Sequence, residues 1–168
     1  LAFQVGLALD LDPGIIRKSL EEYTGVNRRF EYIGEFKGAK IYSDFGHHPT
    51  EIKETMQAVR EKFPDKKIWL IYQPHMFTRT KYLFDDFVKV FKNLPVDKIS
   101  IIDIYPSREV DTGTVSSKQL AEAIHYDRLE YHSKEELTHV FKNQAQNYDV
   151  VFFMGAGDID KIARSLMS

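Results

Sequence analysis

Three nearly continuous apolar runs divide the chain, and they are typical of strands that are covered on both faces. They occupy residues 68–72, 99–104 and 150–154. A strand with one buried face alternates apolar and polar residues, whereas strands of a parallel sheet lie between two layers of helices and read as unbroken hydrophobic runs. The pattern therefore predicts three central strands of a parallel sheet.

Amphipathic helical patterns lie beside these runs. Apolar residues recur at intervals of three and four, as expected for a helix with one buried face. The stripes are Ile52, Met56, Val59 and Phe63; Phe84, Phe87, Val88 and Phe91; Leu137, Val140 and Phe141; and Ile159, Ile162, Ala163 and Leu166. The third stripe follows a capping box, Ser133-x-x-Glu136. Alternating strands and helices predict a Rossmann-like, doubly wound α/β fold, a mostly parallel sheet with helices on both faces.

The start of the chain has a different character and predicts a pair of helices. Asp12 precedes Pro13, which is the arrangement of an N-cap followed by proline in the first helical turn. Gly25 then offers a left-handed stop. We interpret residues 1–24 as a short helical remnant of another domain and residues 25–168 as the α/β domain.

Two short strands open the second unit. Residues 29–35 and 39–43 have strand-like composition, and Lys37 and Gly38 form a turn between them. Residues 26–28, just before the first of these strands, are the expected joint between the two units. The sequence reads as one cut from a longer chain.

Composition narrows the function classes. The 168 residues are 43% hydrophobic and 29% charged, which is typical of a folded domain. A net charge of −2 disfavours broad binding to nucleic acid or to a membrane surface. The absence of cysteine excludes disulfides and thiolate metal sites and agrees with a reducing cytoplasm. No apolar run approaches the roughly 20 residues of a membrane span.

Polar side chains follow the predicted second strand and open a helix at Pro49. In an open α/β sheet, ligands bind at the carboxyl ends of the strands, so this loop is a candidate site. Asp44 could accept hydrogen bonds from ribose hydroxyls, and His47 could donate to a phosphate or a carboxylate. The alternative is structural: His48 and Thr50 cap the helix and Asp44 tightens a turn.

A second polar loop, residues 73–80, follows the strand at 68–72. Arg79 offers a planar fork that suits a carboxylate or a phosphate, and His75 can donate a hydrogen bond or carry a proton. The structural alternative is a surface loop in which Thr78 is an N-cap and Arg79 is solvated.

A third loop, Gly155-Ala156-Gly157-Asp158, follows the last apolar run. Two glycines do not complete a dinucleotide fingerprint, but they allow the backbone to approach a small anionic group. Alternatively, Asp158 is a simple helix cap. After the run at 99–104, Arg108 and Glu109 either pair with each other or line the same cleft. We interpret His125, His132 and His139 as surface or packing residues.

Four segments together resemble the C-terminal domain of the Mur ligases. They are RRFE at 28–31, DFGHHPTE at 44–51, QPHMFTRT at 73–80 and GAGDI at 155–159. The HHPTE and QPHxxTRT segments, in this order and spacing, are highly specific. Within the family, the chain is most similar to the members that add L-alanine to UDP-N-acetylmuramate. The members that recycle murein tripeptide share HHPT but differ in the second loop.

This resemblance implies ATP-driven amide formation through an acyl phosphate. The implied ligands are UDP-N-acetylmuramate, L-alanine, ATP and Mg²⁺, with ATP and Mg²⁺ bound mainly by N-terminal and central domains outside this chain. Residues 1–24 would be the last helices of the ATP-binding domain. The enzyme would act in the bacterial cytoplasm, and this chain would not catalyse alone.

The resemblance also implies residue roles. Nucleotide contacts fall on Arg29, Asp44 and Phe45; catalytic roles fall on His47, His75 and Arg79; and amino-acid binding falls on these last three together with Gly155, Gly157 and Asp158. Two positions depart from the family pattern. Met76 stands where many relatives carry arginine, and Phe45 stands where tyrosine is usual.

Three alternatives remain open. One is the murein tripeptide-recycling ligase of the same family. Another is a metal-dependent hydrolase that uses Asp44, His47, His48 and His75, since imidazole and carboxylate suit zinc or manganese. Adjacent histidines point in different directions at a helix start, however, so we predict no metal site. The third alternative is a non-catalytic interaction module.

Overall fold

The structure, a computed structural model, describes residues 1–23 and 25–167. Thr24, the last residue of the predicted first unit, and Ser168 lie outside the described residues. The strands are β1 (Glu31–Phe36), β2 (Ala39–Asp44), β3 (Ile68–Tyr72), β4 (Lys98–Ile102), β5 (Leu129–His132) and β6 (Val150–Met154). The helices are α1 (Ala2–Ala8), α2 (Pro13–Glu21), α3 (Pro49–Lys62), α4 (Phe77–Tyr82), α5 (Phe84–Lys92), α6 (Ser117–Ile124), α7 (Lys134–Gln144) and α8 (Ile159–Leu166).

The six strands form one sheet in the order β1-β2-β6-β3-β4-β5. β1 is antiparallel to β2, and every other neighbouring pair is parallel. The last strand in the chain, β6, therefore lies between the second and the third. This arrangement confirms the predicted mostly parallel, Rossmann-like sheet, and it brings the three glycine-containing or polar loops after β2, β3 and β6 side by side.

Each face of the sheet carries its own hydrophobic core. On one face, Met56 of α3, Phe91 of α5 and Leu120 of α6 pack against the sheet and are completely buried. On the other face, Phe141 of α7 and Ala163 of α8 do the same. The predicted stripes are thus confirmed as core. All five residues of β3, β4 and β6 are buried, as expected for strands between two helical layers.

Side chains cap the first turns of α2, α3, α6 and α7. The predicted capping box of Ser133 and Glu136 is present at α7, and Asp12 caps α2 through the amide of Ile15, 3.0 Å away. Helix α6 was not predicted, although Ser116 and Gln119 form the same kind of box there. Strand β5 was not predicted either, because its four residues lie at the edge of the sheet and their side chains are only partly buried.

The predicted helical pair at the start of the chain is confirmed as α1 and α2. The two helices approach closely at Gly6, where an added Cβ would lie 2.7 Å from a side-chain carbon of Ile16. Large apolar side chains such as Leu9 and Ile15 remain exposed on this pair. The division of the chain into units 1–24 and 25–168 stays a prediction. Within the described residues, no helix is both long and apolar enough to cross a membrane.

Candidate active site

The loops after β2 and β3 bring two histidines together at the carboxyl edge of the sheet. The ring centroids of His47 and His75 lie 5.6 Å apart, although 28 residues separate them in the chain. Arg79, in the first turns of α4, joins them through His75. Both rings and the guanidinium are half-buried. His47, His75 and Arg79, which the sequence placed in two separate polar loops, therefore lie together on one rim of the sheet.

The contact between Arg79 and His75 determines the tautomer of the imidazole. Nη1 of Arg79 lies 3.1 Å from Nδ1 of His75. A guanidinium can only donate hydrogen bonds, so Nδ1 is the acceptor and neutral His75 carries its proton on Nε2. The ring also stacks on Tyr105, with centroids 5.7 Å apart and planes 17° from parallel. Partial burial lowers the pKa of His75, and the nearby charge of Arg79 lowers it further, as does His47 when it is protonated.

We expect His75 to titrate below the ordinary histidine value of about 6.5. Replacing Arg79 by Gln should raise the pKa of His75 only part of the way, because burial is the larger cause and remains. NMR of the imidazole carbon signals against pH measures both values. Arg128→Gln, a change at an exposed position before β5, is the matched control and should leave the titration unchanged.

The same pKa shift predicts the sign of a stability change. Below about pH 6.5, His75 binds a proton more readily in the unfolded chain than in the folded one. Neutral His75 therefore contributes to the free energy of unfolding above that pH. This contribution is lost as the pH falls below that value. Urea unfolding at several pH values measures this. On acidification below about pH 6.5, the free energy of unfolding should decrease less in Arg79→Gln than in the unchanged chain.

His47 is held by its own loop and by the start of α3. Its Nδ1 lies 3.1 Å from the backbone carbonyl of Phe45 and therefore donates to it, which leaves Nε2 available as an acceptor. Glu51 accepts from the backbone amides of both His47 and His48, at 2.8 and 3.0 Å. Burial raises the pKa of Glu51, but these two hydrogen bonds and the nearby His47 outweigh it and leave the pKa below its ordinary value. The loop is therefore rigidly capped.

Asp44 and His48 serve the backbone, as the structural alternative predicted. Asp44 is 5% exposed; one carboxylate oxygen accepts from Gly46 at 2.7 Å and the other accepts from Phe30 at 2.9 Å. His48 caps α3 by accepting from the amide of Thr50. Asp44 lies at the rim, but its carboxylate organises the loop, and its contact with a ribose stays a prediction.

Two arginines gather around the ring of Phe45. The guanidinium carbons of Arg28 and Arg29 lie 4.8 and 5.6 Å from its centroid. Arg29 is exposed beside the rim, where a cation can meet an anionic ligand. The predicted nucleotide contacts Arg29 and Phe45 are thus brought together, although no hydroxyl stands at position 45.

The glycine loop after β6 presses directly on the second loop. A Cβ at Gly155 would lie 2.7 Å from the backbone oxygen of Gln73, and one at Gly157 would lie 2.5 Å from the side-chain oxygen of the same residue. The buried amide of Gln73 donates to Asp158 at 2.7 Å and accepts from Ile159 at 3.1 Å. The glycines thus allow a close approach to protein backbone and side chain, and the predicted approach to a small anionic group stays a prediction.

The side chain of Asp158 does not cap α8. It instead pairs with Gln73 and with Lys134, whose Nζ lies 3.1 Å away. Burial raises the pKa of Asp158, but the hydrogen bonds from Gln73 and Lys134 outweigh it, so the pKa lies below its ordinary value. The carboxylate is therefore charged at neutral pH and tied to α7.

The fourth polar segment supports the second loop. Glu109 accepts hydrogen bonds from the amide, at 3.0 Å, and the hydroxyl of Thr78 rather than pairing with Arg108. Thr78 is consequently not the N-cap of α4, which begins after Met76. The supporting roles of Gln73, Tyr105 and Lys134 were not predicted from the sequence, because each of them acts on a loop that is distant in the chain.

A metal site does not form from the candidate ligands. Among residues 1–23 and 25–167, no group of three imidazoles or carboxylates lies close enough to hold a metal ion. Asp44 and His48 are already engaged with backbone amides. Among the described residues, the rim therefore lacks the set of three protein ligands that the hydrolase alternative would use.

Comparisons with known proteins assign the family. Residues 28–157 match the family model described as Mur ligase, glutamate ligase domain. The UDP-N-acetylmuramate–L-alanine ligase of Aquifex aeolicus is 41% identical over 158 residues, which cover 93% of this chain and 34% of that protein. The enzyme of the same name from Acetivibrio thermocellus is 42% identical over 156 residues, which cover 90% of this chain and 32% of that protein.

A solved structure agrees with these matches. The UDP-N-acetylmuramate–alanine ligase of Thermotoga maritima superposes with a TM-score of 0.78 and 25% identity, covering 98% of this chain and 34% of that one. The chain spans about a third of the length of the curated relatives it matches. With the fold, the four motifs and the family model in agreement, the chain belongs to the Mur ligase family.

Proposed function

We propose that this chain is the C-terminal lobe of an ATP-dependent ligase that joins L-alanine to UDP-N-acetylmuramate in bacterial peptidoglycan synthesis. Relatives at 41% and 42% identity that carry this activity in their names support the proposal. Residues 1–24 would belong to the central, ATP-binding domain and residues 25–168 to the lobe itself. The reaction would take place in the bacterial cytoplasm.

The observation that carries the proposal is the cluster of His47, His75 and Arg79 at the carboxyl edge of the sheet. Arg79 contacts His75 at 3.1 Å, and the two imidazole rings lie 5.6 Å apart. One fixed cation and a neutral imidazole with a free Nε2–H suit a carboxylate or a phosphate. Both groups occur in a reaction that converts a carboxylate to an acyl phosphate and then to an amide.

Negative charge develops in both steps of such a reaction. It appears on the transferring phosphoryl group first and on the carbonyl oxygen when the amine attacks. Donors that are already in place stabilise that charge without reorganising. Arg79 would supply the cation and the Nε2–H of His75 a neutral donor. Because Nδ1 of His75 is occupied by Arg79, this histidine is arranged to donate a hydrogen bond and not to accept the proton of the incoming ammonium.

The rim needs a second surface to become a closed site. His47, His75 and Arg79 are all partly exposed to solvent, and an acyl phosphate in contact with water would hydrolyse. Closure of an ATP-binding domain over this edge would exclude water and bring ATP and its Mg²⁺ to the donors. Residues 26–28 would be the hinge. Gly155, Gly157 and Asp158 would border the amino-acid pocket from the side of β6.

A comparison of the full-length ligase with this chain tests the proposal. The full-length protein should release phosphate and form UDP-N-acetylmuramoyl-L-alanine when UDP-N-acetylmuramate, L-alanine and ATP are all present. Omission of any one substrate should abolish the product, as measured by mass spectrometry. The 168-residue chain alone should show no turnover. Product formation with a murein tripeptide in place of L-alanine, and none with L-alanine, would favour the recycling ligase instead.

A further inference from the structure

Arg28 links three segments that are far apart in the chain. Its Nη2 donates to the carbonyl oxygens of Gly155 and Gly157, at 2.6 and 3.1 Å. The same guanidinium lies over the ring of Phe45, with its carbon 4.8 Å from the centroid. One side chain thus contacts the glycine loop after β6 and the histidine loop after β2.

The backbone of Arg28, like its side chain, is held by hydrogen bonds. Its amide donates to Glu31 at 2.7 Å, and its carbonyl accepts from the amide of Phe45 at 2.8 Å. Glu31 is itself paired with Arg164 of α8 at 2.8 Å. These contacts hold Arg28 at a φ of +58°, a left-handed conformation that is uncommon for a side chain of this size.

Two features of Arg28 indicate that it does more than fill space in the core. Strained backbone persists only where the surroundings impose it, and it concentrates at functional sites. In addition, the Nε of Arg28 is buried and has no hydrogen-bond partner among the described residues. A buried donor without a partner is costly, so the geometry favours the two carbonyl contacts over full satisfaction of the guanidinium.

We propose that Arg28 is a positioning residue that sets the glycine loop relative to the Phe45 and His47 loop. It lies at the end of the predicted joint segment 26–28, where its hydrogen bonds fix it to both loops. The catalytic part of this inference rests on the proposed function. The structural part does not, because it concerns only the conformation of residues 155–157 in this chain.

The structural part is tested in the 168-residue chain by NMR. Arg28→Lys keeps the charge but loses the planar fork and the flat contact with Phe45. Arg28→Gly removes the side chain and also relieves the left-handed backbone. Both variants should move the carbonyl carbon signals of Gly155 and Gly157 and speed hydrogen exchange at Ala156 and Asp158. Arg128→Lys, at an exposed position on the opposite edge of the sheet, is the control and should move none of them.

The outcomes separate a positioning role from a general structural one. Unchanged carbonyl signals in a folded Arg28→Gly would overturn the proposal, because the side-chain contacts are then gone and the loop is still in place. This variant should fold, since glycine adopts the left-handed conformation at position 28 without strain. Unchanged signals in Arg28→Lys, together with moved signals in Arg28→Gly, would support positioning by the positive charge and would overturn a requirement for the planar fork.

Kinetics of the full-length ligase test the catalytic part. A misplaced glycine loop should raise KM for L-alanine by about tenfold in Arg28→Lys, with a smaller change in kcat. An unchanged KM together with moved carbonyl signals would refute the link to the site. If the unchanged full-length protein forms no product at all, the proposed function fails, while the NMR result still decides the loop geometry.

Discussion

A full-length ligase carrying His47→Ala and Arg79→Ala together should lose activity by at least about a thousandfold in kcat/KM. Removing a single donor to a developing negative charge commonly costs about a hundredfold to a thousandfold. The two residues act on one cluster, so their effects should not simply add. Arg79→Ala also frees Nδ1 of His75, which can then take either tautomer. Steady-state phosphate release measures the loss.

A matched double variant separates this effect from damage to the fold. His139 and Arg128 are exposed and lie away from the rim, so His139→Ala with Arg128→Ala removes the same residue types without touching the cluster. That variant should keep its activity within about twofold. Both doubles should retain the circular dichroism spectrum of the unchanged protein. Turnover within tenfold of normal in the His47 and Arg79 double would remove these residues from the site.

Gly155→Ala should destabilise the chain by about 3 kcal/mol, from overpacking and backbone strain together. Gly155 has a φ of +154°, and an added Cβ would lie 2.7 Å from the backbone oxygen of Gln73. Backbone cannot yield as a flexible side chain can. The backbone of Gln73 is held in place because its backbone amide donates to the carbonyl oxygen of Met154 at 2.9 Å. Urea unfolding, followed by the fluorescence of Trp69, gives the free energy.

Gly113→Ala is the control for the strain of a positive φ. Gly113 has a φ of +70°, and an added Cβ would meet nothing within 4 Å. This variant should therefore lose only about 1 kcal/mol, the usual cost of a left-handed backbone with a side chain. The excess loss in Gly155→Ala contains the close approach of the glycine loop and the second loop, together with any extra strain of a φ of +154°. Equal losses would show that this approach is looser than the structure has it.

The position of Gly155 also bears on activity. Because Gly155 lies between Asp44 and Gln73, its backbone amide donating to the carbonyl of Asp44 at 3.1 Å, a displaced glycine loop would shift both polar loops. We therefore expect any folded Gly155→Ala ligase to lose affinity for L-alanine. The site is built on backbone contacts between three strand ends, and these contacts leave no room for a methyl group.

Much of the site was readable in the chain because local chemistry marked it. His47, His75 and Arg79 each follow a buried strand, and the rule for ligands in open α/β sheets placed all three at one edge. The resemblance to the Mur ligases added roles to positions that were already singled out. What the residues could not reveal was which polar groups were free to bind a ligand. Both oxygens of Asp44 accept from backbone amides, a role that the sequence offered only as an alternative to the ribose contact, which stays a prediction.

The sequence alone determined the βα alternation, the two-sided burial of the central strands, the capping box at Ser133 and the loops that carry chemistry. These follow from periodicity and from side-chain type, which are local properties. Only the tertiary structure decided that β6 inserts between β2 and β3, that Gln73 joins the second loop to the third, and that Arg28 reaches the glycine loop across 127 residues. Such pairings depend on which strands share hydrogen bonds, and hydrophobic pattern does not specify strand order.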